Sequence, residues 1–463
     1  MMKKRLFAFL LCIVLYACSV CEAQASSFRN TVSYFRSSAS FDFTLHAEVK
    51  KLPQFSDERT EQLNRLLKHI TVRGTVDNQQ SQASYLLDDN LLFSYIQLNG
   101  TDGKAAMIAP DQFHYYIIPA QSEEEQQDSQ PKASRGLDAL QRNISIFETL
   151  DALNSFICRL PLVFPDRTSS AKIQAQTFRD YGKAVRKTTV TLNGDELTEF
   201  VHDNADMFPY IVDYPDFKSI YFEGRQTFSL YLSEDDKLIM AVFSGRAGIS
   251  EDDLRTVRLE WKTVRGESLE KDELQLRTPN SKGTKRNNLL LTYIWKKADD
   301  GSETVQWVSE TDRADNGQRT RIFDEALLSF TDHTVSGTMS EKNVSGNTVL
   351  YTEGILNASV PSHNSCDGSL EINHKLENNS KKDKIEKDRI LIRFTLAPGS
   401  AAQVSSLQFE TIKTGETEYA DLLERIFANI IQEMLKLPKE DIVLFKEGIP
   451  DEMWKSVFPQ GID

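Results

Sequence analysis

The chain has 463 residues, of which 54 are lysine or arginine and 68 are aspartate or glutamate, so the formal net charge is −14. Hydrophobic residues make up 40 % and charged residues 26 %, which excludes a collagen-like chain, a disulfide-dense miniprotein and a wholly disordered polypeptide. The acidic balance argues against broad nucleic-acid binding, because that requires clustered positive charge against phosphate. At about 150 residues per domain, this length predicts two or three domains.

The segment 1–25 has the features of a secretory signal peptide. Met1–Arg5 is positively charged, Leu6–Tyr16 is apolar, and the small residues of Ala23–Ala25 favour cleavage after Ala25. The alternative is lipidation of Cys18, since Leu15–Cys18 looks like a bacterial lipobox, although Tyr16 is bulkier than that motif prefers. Nothing later in the sequence approaches transmembrane length. We therefore expect a mature chain that is secreted or tethered to the cell surface through Cys18, without a membrane span.

Export also decides how the cysteines and the glycosylation sequons are interpreted. Cleavage after Ala25 would leave only Cys158 and Cys366, which an oxidising compartment allows to pair but which could equally be separate buried thiols. Five N-x-Ser/Thr sequons are glycosylation acceptors only if the host glycosylates exported proteins. They lie at Asn99, Asn143, Asn343, Asn357 and Asn378.

The region 26–119 is predicted to be an N-terminal α+β meander. Phe41–Val49 alternates apolar and polar residues as a half-buried strand does. Ser56 is a helix N-cap, followed by leucines at helical spacing. Short strand patterns with turn signals then continue to residue 119, after which 120–135 is an acidic and polar linker or long loop.

The rest of the chain divides into two predicted parts. Region 136–216 is a mostly helical connector, and region 217–463 is a β-rich antiparallel domain in which the polar stretch Glu377–Arg389 is a hairpin loop. The run Lys381–Arg389 within it includes Asp383, Glu386 and Asp388, so we expect this run to carry little net field. A final amphipathic helix at about 416–437 is expected to cover the large sheet.

Together these elements predict an α+β fold. We expect one or two large, curved antiparallel sheets with amphipathic helices packed on one face, in a two-part architecture. No motif identifies a known family.

Metal-binding and cofactor motifs are absent from the sequence. The best metal candidate is His202 and Asp203 with Asp206, which we interpret instead as the polar end of a helix, where a histidine suits the C-terminal dipole. The P-loop, G-x-G-x-x-G and G-x-S-x-G patterns do not occur. We therefore predict no metal-ligating and no cofactor-binding residue, and no cofactor.

One arrangement matches the order of motifs in penicillin-recognising serine enzymes. Ser268–Lys271 fits S-x-x-K, Ser345–Asn347 resembles S-x-N, and Lys413–Gly415 fits K-T-G. That chemistry needs the serine at a buried helix N-terminus beside the lysine, whereas residues 266–272 are typical of a solvated turn between strands. A second S-x-x-K at Ser129–Lys132 shows how easily the pattern arises, so we predict no catalytic residue.

The function predicted from these observations is non-enzymatic. We expect an exported protein that binds an apolar ligand, a cell-envelope component or a partner protein through its sheet. The alternatives are a secreted hydrolase whose site is dispersed along the sequence, and a structural surface domain. No nucleic-acid partner is expected.

Overall fold

The fold is that of a computed structural model, which describes residue 28 and residues 40–53, 55–77, 80–98, 105–108, 115–118, 146–204, 220–248, 254–279, 286–315, 318–331, 333–346, 348–359, 366–378, 386–399, 409–411 and 417–442. The signal segment 1–25 and the linker 120–135 predicted above lie outside these residues. The described strands form one sheet of 20.

The strands are numbered in chain order. They are β1 Ser40–Lys51, β2 Ile70–Asp77, β3 Gln80–Leu87, β4 Asn90–Leu98, β5 Ala105–Ile108, β6 Tyr115–Ile118, β7 Thr168–Phe178, β8 Gly182–Leu192, β9 Tyr221–Leu232, β10 Leu238–Gly248, β11 Arg255–Arg265, β12 Leu269–Pro279, β13 Arg286–Lys297, β14 Glu303–Asp315, β15 Gln318–Phe330, β16 Thr334–Ser345, β17 Thr348–Ser359, β18 Cys366–Asn378, β19 Glu386–Pro398 and β20 Phe409–Thr411. The described α-helices are α1 Asp57–Lys68, α2 Ile146–Val163, α3 Gly194–Asp203 and α4 Thr417–Met434, and Pro165–Arg167 is a 3-10 turn.

The sheet is a meander whose spatial order differs from chain order at one place. From one edge, β7 to β19 follow one another as antiparallel neighbours. Strand β19 then pairs with β1, with Leu396 opposite Phe43. Strands β2 to β6 continue from β1, and β20 ends the sheet in a parallel pairing with β6.

One face of the sheet, called here the core face, carries the buried side chains. Since successive residues of a strand point to opposite faces, the alternation in each strand decides which residues enter the core. Two clusters result, one centred on β1 and β13–β19 and one on β8–β11. Helix α2 lies across both, with Leu150 in the first cluster and Leu160 in the second, and Leu274 packs against both clusters. The opposite face is called the outer face.

The other helices are attached at defined points. Ser56 caps α1, whose Asn64 exchanges two hydrogen bonds of 2.7 Å with the backbone of Val49, next to a bulge in β1. Asn193 and Glu196 form a capping box that begins α3, and α3 packs into the second cluster. Helix α4 packs on the hairpin β3–β4, where Met434 contacts a cluster that includes Leu87 and Leu92.

Two tryptophans on the core face donate to buried carboxylates across a strand pair. Trp261 Nε1 donates to Asp272 Oδ1 at 3.0 Å, and Trp295 Nε1 donates to Glu303 Oε2 at 3.1 Å. Asp272 also accepts from Arg265, which reaches Asp151 of α2. Buried polar groups must be hydrogen-bonded to be tolerated, and these bonds tie α2 to the sheet.

The predicted α+β class is wrong. Of the one or two sheets expected, the described strands form one, because β1 pairs with β2 on one side and with β19 on the other. Of the described helices, α2 and α3 pack on the core face, but α1 has no buried residue and α4 packs only on the hairpin β3–β4. Period-2 alternation reveals a strand but not which distant strand it pairs with, which is why the sequence suggested two parts. The domain boundaries predicted from the sequence stay a prediction.

The structure also bears on the cysteines, the sequons and the membrane-spanning segments considered from the sequence. Cys158 is free and exposed while Cys366 is disulfide-bonded, so these two cysteines do not pair and Cys158 is not a buried thiol. Of the sequons, Asn343 and Asn357 lie within β16 and β17, and Asn99 and Asn143 lie outside the described residues. Within the described part of the chain, no helix combines the length and the apolar character that crossing a membrane requires.

Candidate ligand-binding site

A trough of about 900 Å³ crosses the outer face of β14–β19 and β1. Twelve of its 17 lining residues lie at the same level of each strand, in two parallel rows separated by one residue along each strand. The first row is Phe323, Lys342, Tyr351, Lys375 and Lys387, and the second is Val308, Glu325, Ser340, Glu353, Asn373, Arg389 and Lys51. The floor between the rows is formed by the other five lining residues, whose side chains alternate to the core face: Asp324, Glu341, Thr352, His374 and Asp388.

The register of the strands creates both rows. In the first row each residue lies directly opposite the next, from Phe323 and Lys342 through Tyr351 to Lys375 and Lys387. The second row is continuous in the same way from Val308 on β14 to Lys51 on β1. Each row therefore runs perpendicular to the strands.

Two cation pairs lie directly opposite each other at one end of the trough. Lys375 faces Lys387 across β18 and β19, and Arg389 faces Lys51 across β19 and β1. Like charges in directly opposed cross-strand positions destabilise a sheet. Elsewhere on the outer face, opposite charges meet, as in the 3.0 Å ion pair of Arg393 with Glu48. Arg258 also faces Arg277 on this face, across β11 and β12, so what sets the trough apart is that two like-charged pairs lie side by side.

The charges of the trough are only partly compensated. Arg389 Nε donates to Glu371 Oε1 at 2.6 Å, which lowers the pKa of Glu371, and Lys375 pairs with Glu377. Among the described residues, Lys51, Lys342 and Lys387 have no acidic partner within ion-pair distance.

The outward-facing side chains of the two rows include more cations than carboxylates. Its two rows contain the five cations Lys51, Lys342, Lys375, Lys387 and Arg389 and the two carboxylates Glu325 and Glu353. The chain as a whole has a net charge of −14. The lining also includes Asp324, Glu341 and Asp388, whose side chains alternate to the core face, so the excess of cations is confined to the two outward-facing rows.

Aromatic rings hold two of the lysines in place. Lys342 Nζ lies 5.2 Å from the ring centroid of Tyr351 and 5.9 Å from that of Phe323, and Lys375 Nζ lies 5.1 Å from that of Tyr351. A cation over a ring face is attracted by the ring quadrupole. These cation–ring contacts restrain the ammonium groups of Lys342 and Lys375.

A second polar row faces the other way, beneath the trough floor. It consists of Ser309, Asp324, Glu341, Thr352, His374 and Asp388, which lie opposite one another on the core face. Ser309 donates to Asp324 at 3.0 Å, and burial raises the pKa of Asp324. Within the described residues, no group of these side chains has the arrangement of a metal site.

The raised pKa of Asp324 predicts a pH-dependent gain in stability on replacement by asparagine. Since the folded pKa lies above the unfolded one, ionisation of Asp324 costs stability at neutral pH, and that cost disappears below the ordinary pKa of 3.8. We expect D324N to be more stable than the parent at neutral pH and equal to it below that value. Urea unfolding across pH measures this, with E325Q, the exposed neighbour on the outer face, as the matched control. A gain in stability that does not depend on pH would contradict the raised pKa of Asp324 in the folded protein.

The residues weighed from the sequence do not meet in a site. His202 lies in the last turn of α3, as the helix-end interpretation expects, while Asp206 is outside the described residues. Lys271 lies in β12, where it packs over Tyr181 at 4.7 Å, so Ser268 and Lys271 do not begin a helix. Residues 413–415 are outside the described residues.

Sequence reasoning missed the trough, and one wrong prediction explains why. The stretch Glu377–Arg389 was predicted to be a loop with little net field, but β19 begins at Glu386. Alternation in that strand turns Lys387 and Arg389 to the outer face and Asp388 to the core face, so the charges do not cancel on either side. The signal available in the sequence was this alternation of basic and acidic residues.

Comparisons with known proteins give matches to solved structures only. No protein-family model matches the sequence, and no curated protein matches it significantly. Wzi, an outer membrane protein involved in group 1 capsule assembly in Escherichia coli and described as a carbohydrate binding beta-barrel, has a TM-score of 0.30 and 7 % identity, covering 86 % of this chain and 98 % of that one.

Two further matches have comparable values. The outer membrane channel DcaP of Acinetobacter baumannii has a TM-score of 0.28 and 8 % identity, with 77 % of this chain and 95 % of that one covered. Outer-membrane expressed OmpT of Vibrio cholerae has a TM-score of 0.25 and 9 % identity, covering 78 % and 98 %. At TM-scores below 0.5 we draw no conclusion about this chain from these matches.

Proposed function

We propose that the chain is an exported, non-enzymatic protein that binds an anionic component of the cell envelope in the outer trough. The observation that carries the proposal is the pair of opposed like charges, Lys375 with Lys387 and Arg389 with Lys51. A departure from local stability rules is expected where a surface serves binding. An anionic ligand would relieve the repulsion and form charge-assisted hydrogen bonds with these groups.

The nature of the two faces narrows the ligand classes expected from the sequence. An apolar ligand was expected to use the sheet, but the core face of β8–β11 is filled by α2 and α3. The trough is lined mainly by charged and polar side chains. Complementarity with the cations of the two rows therefore favours an anionic ligand on the outer face.

Export is supported by the N-terminal sequence. A positive segment, an apolar segment too short to span a bilayer and the small residues before Ser26 are the three parts of a secretory signal. An exported protein meets the anionic polymers and lipids of the envelope directly, so such a component is the natural partner for the trough.

Neutralising the trough is expected to weaken binding to anionic probes. The variant K375Q/K387Q should bind polygalacturonate, polyglutamate or phosphatidylglycerol vesicles about 10- to 30-fold less tightly, because each cation near an anionic surface contributes about 1 kcal/mol. Binding of the parent should also weaken with added salt, which screens exposed charges. Titration of the full mature chain against each probe measures the dissociation constant, and dextran and phosphatidylcholine vesicles are the neutral probes.

The matched control is K172Q/K183Q. Lys172 and Lys183 are exposed strand lysines on β7 and β8, so this variant changes the net charge equally but lies outside the trough. We expect it to bind as the parent does. Equal losses in the two variants would show that net charge alone governs binding, and a parent that binds none of the three anionic probes would refute the proposal.

A further inference from the structure

We infer that the anionic component is a linear glycan that carries carboxylates and lies across the strands along the trough. This inference rests on the proposed function and specifies its ligand. It is carried by the direction of the two rows, by the distribution of the cations and by the uncharged polar groups among them.

The direction of the rows favours an extended ligand. The trough crosses seven neighbouring strands, β14 to β19 and β1, and their six spacings of about 4.8 Å correspond to a length of roughly 29 Å. A pyranose ring advances a glycan chain by a distance similar to one strand spacing. A linear glycan can therefore present about one sugar to each strand that it crosses.

The distribution of the cations favours charges repeated along a chain. Lys342 lies on β16, Lys375 on β18, Lys387 and Arg389 on β19, and Lys51 on β1. A compact phosphate is bound by donors that converge on one point. Donors distributed over four strands instead match a polymer whose carboxylates recur along its length.

Uncharged polar groups distinguish a glycan from other polyanions. Ser340 and Asn373 lie in the second row on either side of Glu353, and Asn373 Nδ2 donates to Glu353 Oε2 at 3.3 Å. Among the described residues, the Ser340 hydroxyl and the Asn373 amide oxygen have no hydrogen-bond partner. Sugar hydroxyls both donate and accept, so they can satisfy these groups together with the Glu353 carboxylate.

The first row contributes an apolar surface of the kind that sugars use. The ring of Tyr351 lies between Lys342 and Lys375 in the cross-strand ladder, and Phe323 precedes Lys342. Aromatic side chains combine a flat apolar surface with, in tyrosine, a polar tip. A polyanionic peptide or a lipid headgroup surface would use the cations but has no array of hydroxyls to match these neighbours.

The length and the hydroxyls of the ligand provide the test. In calorimetric titrations of the full mature chain, affinity for oligogalacturonates should rise with chain length and level off at about six or seven sugars, the number that fits the roughly 29 Å across the seven strands. The variant S340A/N373A should bind hexagalacturonate about fivefold less tightly, through the loss of hydrogen bonds, and polyglutamate as tightly as the parent does.

The matched control is S336A/N357A. Ser336 and Asn357 are the same residue types, lie directly opposite each other on β16 and β17, and face the outer side beyond the trough. This variant should leave hexagalacturonate binding unchanged. If S340A/N373A fails to fold by circular dichroism, S340T/N373Q, which retains hydrogen-bonding groups, should bind hexagalacturonate within about twofold of the parent, and a loss as large as that expected of the alanine variant would count against the assigned contacts.

The other outcomes separate failure of the glycan inference from failure of the proposed function. Equal affinity for polyglutamate and hexagalacturonate, unaffected by S340A/N373A, would overturn the glycan but leave the anionic trough intact. Preference for phosphatidylglycerol vesicles would show that the ligand is a membrane surface and would also overturn the glycan. Failure of all three anionic probes to bind would overturn the proposed function together with this inference.

Discussion

Replacing Asp272 with alanine is expected to lower the free energy of unfolding by about 3–5 kcal/mol, the usual cost of removing one partner of a buried ion pair. Asp272 is 1 % exposed and accepts hydrogen bonds from Trp261 Nε1 at 3.0 Å and from Arg265 at 2.6 Å. Its removal leaves the indole N–H without an acceptor, and leaves Arg265 with Asp151 as its remaining acidic partner among these contacts. Burial raises the pKa of Asp272 even though Arg265 favours its charged form.

Urea unfolding measures this loss, with E260A as the control. Glu260 precedes Trp261 in β11 but faces the outer side, where it pairs with Arg258 at 2.7 Å. Exposed pairs of this kind contribute about 0–1 kcal/mol. A D272A variant as stable as E260A would mean that the buried carboxylate does not hold Arg265 in the folded protein.

The second large effect is expected at Leu160, where alanine should cost about 2–5 kcal/mol. Leu160 is fully buried, and it lies near the end of α2 in the cluster that joins this helix to β8–β11. Shortening it removes apolar contacts and leaves a cavity that the strands cannot fill completely, because they are fixed by hydrogen bonds on both sides.

The control for Leu160 is two residues away in the same helix. Leu162 is 79 % exposed, so L162A should change the free energy of unfolding by less than about 0.5 kcal/mol. The same substitution at two neighbouring leucines separates the effect of burial from any effect on helix propensity. Similar losses at both positions would contradict the packing of α2 on the core face.

Local patterns in the sequence predicted many elements well. The alternation in Phe41–Val49 predicted the strand observed as Ser40–Lys51, and the apolar face that begins near Thr417 predicted the helix observed as Thr417–Met434. These predictions succeed because a strand and an amphipathic helix are each recognisable from residues close in sequence. Ser56 as an N-cap is confirmed for the same reason.

Predictions that needed a distant partner failed. The final helix was expected to cover the large sheet, but Asn429 donates to the carbonyls of Leu91 and Leu92 on β4, more than 330 residues earlier in the chain. Likewise, the α+β class failed because nothing in Phe43 indicates that Leu396 lies opposite it. An apolar face specifies that it must be buried, and many partners could satisfy it equally.

The candidate site also depends on partners that are distant in sequence. Each row of the trough takes one residue from each of several strands, so it exists only once the registers of β14–β19 and β1 are set. Lys375 and Lys387 are separated by 12 positions in sequence and are directly opposed in the sheet. The sequence by itself determined the acidic balance and which residues of each strand share a face, and it predicted that the chain is exported. Only the tertiary structure decided that like charges meet on the outer face, because hydrogen bonding between strands, and not local periodicity, selects the register.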